Sequence, residues 1–203
     1  RCCARCSYRQ ENINRMIHIG IDFSLNSPGA CVQTTDGKYH FITFFNYGNR
    51  IWDEEGRKIP KAFSVHKELM DDNAMLGFPY NRDVTSKEFL PRERQKLQDA
   101  GNISSLMVNI FSTLFEGDEV DIALEGFSYG SKGNSFIDII QYNTFLRKAL
   151  IDKYTIKKLS VFQPSHVKKL AGKGNANKHY MAKAFQDDVL NDKNLRSTKL
   201  WKW

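Results

Sequence analysis

Met16-Ile17-His18-Ile19-Gly20-Ile21-Asp22-Phe23-Ser24 is the stretch on which the fold turns. Apolar residues alternate with small or polar ones from Ile17 to Phe23, the period of a β-strand with one buried face. The strand ends close to a carboxylate, Asp22. A charged group following a buried apolar run is costly unless it is paired or holds a metal. Downstream, Asn26-Ser27-Pro28-Gly29 is a turn. Ala30–Thr34 resumes as a second strand. Asp36-Gly37 is a hairpin signal, and Tyr39–Phe45 makes a third strand. The opening is therefore an antiparallel three-strand meander, with Phe41, Phe44 and Phe45 assigned to core and sheet face.

Residues 46–85 carry no sustained periodicity and are expected to form an irregular excursion with short helical pieces. Pro91 suits the first turn of a helix. Leu97, Ile103, Leu106, Met107, Ile110, Phe111 and Leu114 then recur at helical spacing. Asp121–Leu124 reads as a short buried strand ending at Glu125, Phe136–Ile151 as a helix, and Ile156–Phe162 as a fifth strand. Pro164 opens a short helix interrupted by Gly172 and Gly174, and Ala176–Leu190 forms another. Three hairpin-linked strands followed by helix, strand, helix, strand, helix predict an α/β fold: a mixed five-stranded sheet with helices on both faces.

Glu125 stands in Ile122-Ala123-Leu124-Glu125-Gly126-Phe127. Asp22 and Glu125 at the ends of neighbouring central strands would converge on one edge of the sheet. Hard oxygen ligands from separated strands suit Mg²⁺ or Mn²⁺. Two such ions about 4 Å apart can activate water and stabilise the leaving oxygen of a phosphodiester. The bland alternative is that Asp22 caps a turn and Glu125 pairs with a surface lysine.

Charge distribution points the same way. The 203 residues carry a formal net charge of +7, and residues 157–203 hold eleven Lys and Arg against three Asp, a local net of +8. A basic end on a near-neutral body suits a polyanion-binding face. Lys168, Lys169, Lys173 and Lys178 surround two glycines, whose backbone amides can approach phosphate closely. The polar loop Ser128–Ser135 follows Glu125; there Tyr129 can stack on a base, and Lys132 and Asn134 can meet the backbone. His166 reads as a surface histidine. Asp187, Asp188 and Asp192 read as solvated charges.

No run of about 18 apolar residues exists, so no membrane span is expected, and no signal segment opens the chain. A cytoplasmic setting, in a bacterial or phage-infected cell, follows as the default. Cys3 and Cys6 have the spacing of half a zinc site, without a second pair nearby. Residues 1–15 lack apolar periodicity and are expected to be a disordered upstream segment ahead of a start at Met16. Residues 16–203 then form one domain.

Three motifs, in order, resemble the RuvC family of Holliday-junction resolvases in the RNase H-like superfamily. Ile19-Gly20-Ile21-Asp22 is similar to its first catalytic-aspartate strand. Ala123-Leu124-Glu125-Gly126-Phe127 is similar to its glutamate strand. Pro164, Val167-Lys168-Lys169 and Gly172-Lys173-Gly174-Asn175-Ala176-Asn177-Lys178 resemble the approach to its last helix. The likeness spans roughly residues 16–190 and suggests a phage or mobile-element member. It implies an RNase H-like sheet and a Mg²⁺- or Mn²⁺-dependent endonuclease using two ions held by Asp22 and Glu125. It also implies branched DNA as substrate and a homodimer, since a four-way junction has two symmetric strands to cut. The family's final pair, two acids or an acid and a histidine, would fall past Trp203, so the chain is expected to be C-terminally incomplete. A non-catalytic branched-DNA binding module is the alternative. An actin-like ATPase fits less well, since it needs a second phosphate loop and a chain about twice as long.

Overall fold

The computed structural model describes residues 16–25, 27–48, 50–72, 74–82, 84–115, 119–126, 134–170 and 172–198. The expectations for residues 1–15, Cys3 and Cys6 included, lie outside them. Along the chain run β1 (Ile17–Asp22), β2 (Gly29–Gln33), β3 (Tyr39–Asn46), β4 (Arg50–Trp52), β5 (Lys58–Pro60), α1 (Lys61–Asp71) and β6 (Leu76–Tyr80). Then follow α2 (Phe89–Leu114), β7 (Glu119–Glu125), α3 (Asn134–Lys153), β8 (Thr155–Phe162), α4 (Pro164–Leu170), α5 (Lys178–Asn191) and α6 (Lys193–Ser197).

The main sheet has the order β6-β3-β2-β1-β7-β8. β1, β2 and β3 form the antiparallel meander. β7 pairs parallel to β1, and β8 parallel to β7. The five strands anticipated from the sequence are thus present in one mixed sheet.

Alternation decides which face is buried. Ile17, Ile19 and Ile21 of β1, Val120, Ile122 and Leu124 of β7, and Ile42 and Phe44 of β3 are all at most 3% exposed. They meet Ile103, Met107 and Phe111 of α2 and Tyr142, Leu146 and Leu150 of α3 in one continuous core. Phe44 and Phe111 pack edge to face at 6.2 Å. Between α2 and α3 the contact also includes charge: the buried Lys96 ammonium lies 2.7 Å from both Glu93 and Asp138. Beside it the buried Asp99 accepts a hydrogen bond from the Tyr142 hydroxyl and sits 3.5 Å from Arg82.

The opposite face is covered in part. Met70 of α1 packs so closely on β6 that a Cβ at Gly77 would lie 2.0 Å from its sulfur. Phe185 of α5 meets Phe41 edge to face at 6.0 Å. Helices therefore touch both faces, while the β1–β7–β8 part of this second face keeps an open groove.

The 46–85 excursion is more ordered than the sequence suggests. It holds a two-stranded β4–β5 ribbon, a helix, and β6, which joins the sheet as a sixth strand parallel to β3. Gly77 and Pro79 weaken the strand signal of Leu76–Tyr80. Proline lacks an amide donor, but an edge strand tolerates it because one side has no ladder partner.

Candidate functional site

The parallel register of β1 and β7 places Gly20 beside Ala123 and Ile21 beside Leu124. The next residue on each strand is Asp22 and Glu125. Because Ile21 and Leu124 both turn into the core, period two carries both carboxylates to the other face. The two acids therefore stand side by side at the carboxyl ends of neighbouring strands.

Their electrostatics match that placement. Crowding by protein atoms raises the Asp22 pKa above the ordinary carboxylate range, although the residue keeps an open path to solvent. Glu125 is raised first by burial and then by the charge of Asp22, while Lys168 acts in the opposite direction. Among the described residues neither acid has a hydrogen-bond or ion-pair partner to offset this. Among the described residues Asp22 caps no turn and Glu125 forms no ion pair, while the charge of Lys168 acts on Glu125 through space.

The backbone around the pair is fixed from both sides. The Gly126 amide donates to the Phe162 carbonyl at 2.7 Å. A Cβ at Gly126 would come within 3.1 Å of Val161 and 3.2 Å of that carbonyl. Beyond Asp22, the Ser27 amide donates to the Ser24 hydroxyl at 3.1 Å. The buried Tyr80 hydroxyl donates to the Leu25 carbonyl at 2.5 Å. Tyr80 thus ties the end of β6 to the loop that follows Asp22. No local sequence signal announces that contact, which spans 55 residues.

Lys168 and Lys169 lie in α4, whose last turn is basic. Lys168 is half-buried and Lys169 exposed, with its stem against Gly174. The Lys173 ammonium sits 4.2 Å from the centre of the Tyr180 ring. Lys178 opens α5, capped by the Asn177 side chain, which accepts from the Tyr180 amide at 2.9 Å. Gly172 adopts a left-handed conformation, φ 100°, that only glycine takes readily. Tyr129 and Lys132 lie outside the described residues, and Asn134 is the first residue of α3.

The downstream acids do other work. Asp192 caps α6 by accepting from the Asn194 amide at 2.7 Å, and the Tyr39 hydroxyl reaches it at 3.3 Å. Asp187 and Asp188 are exposed on α5. Among the described residues no cluster of three or more His, Cys, Asp or Glu is arranged to hold a metal. Along the same face as the two acids runs a groove of about 340 Å³, lined by His18, Gly20, Gln33, Asp121, Ala123 and Lys158 among others. Its His18 and Asp121 side chains approach to 3.6 Å. No helix among the described residues is long and apolar enough to cross a membrane.

No protein-family model matches the chain. No curated protein matches it either. Among solved structures, it is similar to Thermus thermophilus RuvC, with a TM-score of 0.45 at 15% identity over 90% of this chain and 89% of that one. It is also similar to T. thermophilus RuvC in complex with Holliday junction substrate, with a TM-score of 0.44 at 16% identity over 90% of this chain and 88% of that one.

Proposed function

We propose that this chain is the core of a divalent-metal-dependent endonuclease that cuts branched DNA such as a Holliday junction, with Asp22 and Glu125 as its metal-holding carboxylates. The observation that carries this reading is the juxtaposition of two like charges, without partners among the described residues, at adjacent parallel strand ends. Folding gains nothing from that arrangement, since each acid is shifted toward its protonated form by burial and Glu125 also by its neighbour. The donor set fits a hard cation: two carboxylate oxygen donors, uncompensated, suit Mg²⁺ or Mn²⁺. When bound, one or two such ions would activate water and stabilise the leaving oxygen of a phosphodiester.

The chain's own residues supply position and attraction. Asp22 and Glu125 concentrate negative charge on one edge, which repels phosphate while no cation is bound. Lys168, whose charge reaches Glu125, counters that repulsion. Lys169, Lys173 and Lys178 extend the basic stretch along α4 and the start of α5, where neutralised phosphates release counterions. Tyr129, Lys132 and Asn134, which follow Glu125 in the chain, complete the DNA contacts under this reading. Two copies would serve the two symmetric strands of a junction.

A second reading, binding without cutting, is favoured by one observation: among the described residues no third acid joins the pair. Cleavage of a synthetic four-way junction in Mg²⁺ or Mn²⁺ separates the two. Asp22→Asn and Glu125→Gln should each lose at least about 100-fold in cleavage rate, since a polarising metal is worth several kcal/mol. Junction binding measured in Ca²⁺ should survive both substitutions. Tight binding with no cutting by the unaltered protein would favour the binding module. Cutting unchanged in both variants would remove Asp22 and Glu125 from the site.

A further inference from the structure

The β4–β5 ribbon, which the preceding function does not use, displays aromatic rings and cations together. Its register pairs Trp52 with Lys58, Ile51 with Ile59 and Arg50 with Pro60. Period two therefore sets Arg50, Trp52 and Lys58 on one face, and the half-buried Ile51 and Ile59 on the other. Trp52 is 66% exposed, an unusual amount of surface for a tryptophan. The Lys58 ammonium lies over its ring at 5.0 Å. At the ribbon's base the Arg50 guanidinium lies over the Tyr47 ring at 4.5 Å. Among the described residues neither cation is salt-bridged. The turn acids Asp53 and Glu55 carry their own counter-charge in Arg57, at 2.8 and 2.7 Å. Glu54 is left as the ribbon's one acid without such a partner among the described residues.

Topology puts this ribbon where it can meet the same ligand as Asp22 and Glu125. β1, β3, β6 and β7 run in one direction, because β1 pairs parallel to β7, β3 pairs parallel to β6, and β2 is antiparallel to both β1 and β3. The strands end at Asp22, Asn46, Tyr80 and Glu125, all on one edge of the sheet. The ribbon leaves from Asn46 on that edge. Its base is fixed there: the Tyr47 amide donates to the Tyr80 carbonyl at 2.7 Å, and the Asn46 side chain accepts from the Gly48 amide at 2.9 Å. β3 is two strands from β1, a lateral offset of about 10 Å at the usual spacing. That offset is about half the width of a duplex arm.

We propose that the β4–β5 ribbon is a second nucleic-acid contact, in which Trp52 stacks on an unpaired base at the branch of the DNA and Arg50 and Lys58 hold the adjoining phosphates. The inference rests on the branched-DNA reading above and names the part of that substrate the ribbon takes. A flat aromatic face flanked by cations is the chemistry that recognises single-stranded nucleic acid without regard to sequence. An exposed cation–π contact is weaker than stacking of a base on tryptophan. A base can therefore displace Lys58 from the ring, and the freed ammonium then meets phosphate.

The test uses the full chain in Ca²⁺ and four-way junctions with 2-aminopurine at the branch point. Unaltered protein should change the 2-aminopurine signal on binding, and Trp52→Ala should abolish that change and weaken binding about tenfold. Trp52→Phe should recover most of the affinity, because a ring is restored. Arg50→Ala with Lys58→Ala should lower the salt slope by up to about two units, which Trp52→Ala should not do. Thermal melts should show that these exposed substitutions leave the fold intact. Trp52→Ala indistinguishable from unaltered protein in both signal and affinity would overturn the proposal. If Trp52→Ala fails to fold, Trp52→Phe decides: an affinity kept with an altered 2-aminopurine signal supports stacking, and an unchanged signal overturns it. A protein that stacks through Trp52 but never cuts in Mg²⁺ would defeat the nuclease reading alone. One that cuts normally with Trp52→Ala and binds as tightly as before would defeat the ribbon alone.

Discussion

The two faces of the central sheet are made by alternate residues of the same strands, yet they obey opposite rules. On one face Ile17, Ile19 and Ile21 disappear under α2 and α3. On the other, His18 and Gly20 line an open groove and Asp22 is exposed. The covered face gains from filling space. The open face sets two carboxylates together with no neutralising partner among the described residues. Stability and chemistry can thus be altered separately at positions one residue apart.

The sharpest way to break this contrast begins in the core. Phe111 is fully buried against Phe44. Phe111→Ala should cost about 3–5 kcal/mol in urea unfolding, as large aromatic truncations do. A loss below about 1 kcal/mol would mean that α2 is not clamped on the sheet as described. Next comes Tyr80, whose hydroxyl crosses from β6 to the loop after Asp22. Tyr80→Phe keeps the ring and should cost about 1 kcal/mol for the lost hydrogen bond. Cleavage should fall with it at limiting Mg²⁺ and recover as Mg²⁺ is raised. An equal loss at every Mg²⁺ concentration would show that the hydroxyl does not act through the position of Asp22.

On the open face the sign reverses, and the effect is smallest. Both acids have folded-state pKa values raised above the ordinary range. Their contribution to stability is therefore full at low pH and is lost as pH climbs from about 4 through the raised values. Asp22→Asn with Glu125→Gln should melt slightly higher than unaltered protein at pH 7, by a shift on the order of 1 °C, and equally at pH 3. Mg²⁺ should raise the melting temperature of the unaltered protein and leave that of the double variant alone. Stabilisation by Mg²⁺ in both would place the ion elsewhere.

Legibility in the sequence followed the same division. Ile17–Phe23 and Asp121–Leu124 could be read as strands from their apolar residues, and a carboxylate at or near the end of each, Asp22 and Glu125, is conspicuous. Phe44 and Phe45 are buried and Phe41 is half-buried, as their place in β3 suggested. β6 was hidden because Gly77 and Pro79 argue against a strand, and only pairing with β3 overrules them. The ribbon was hidden because Arg50–Trp52 and Lys58–Pro60 are three residues each, too short for a period. The action of Lys168 on Glu125 depends on where α4 folds back, and the Tyr80 contact on two loops meeting in space. Neither is encoded near the residues it joins.

The two outer strands of the sheet carry a consequence for assembly. An open edge presents unpaired amides and carbonyls to any passing strand. β6 carries Pro79, which offers no amide. β8 is interrupted by a register shift opposite Val120 and Asp121 that leaves Lys157 outside the ladder, where it reaches Glu119 at 2.8 Å. A proline at one border and a bulged lysine at the other both discourage the sheet from growing into a neighbour's. Copies of this chain that meet in solution are steered away from a shared β-sheet and toward contacts through helices and loops.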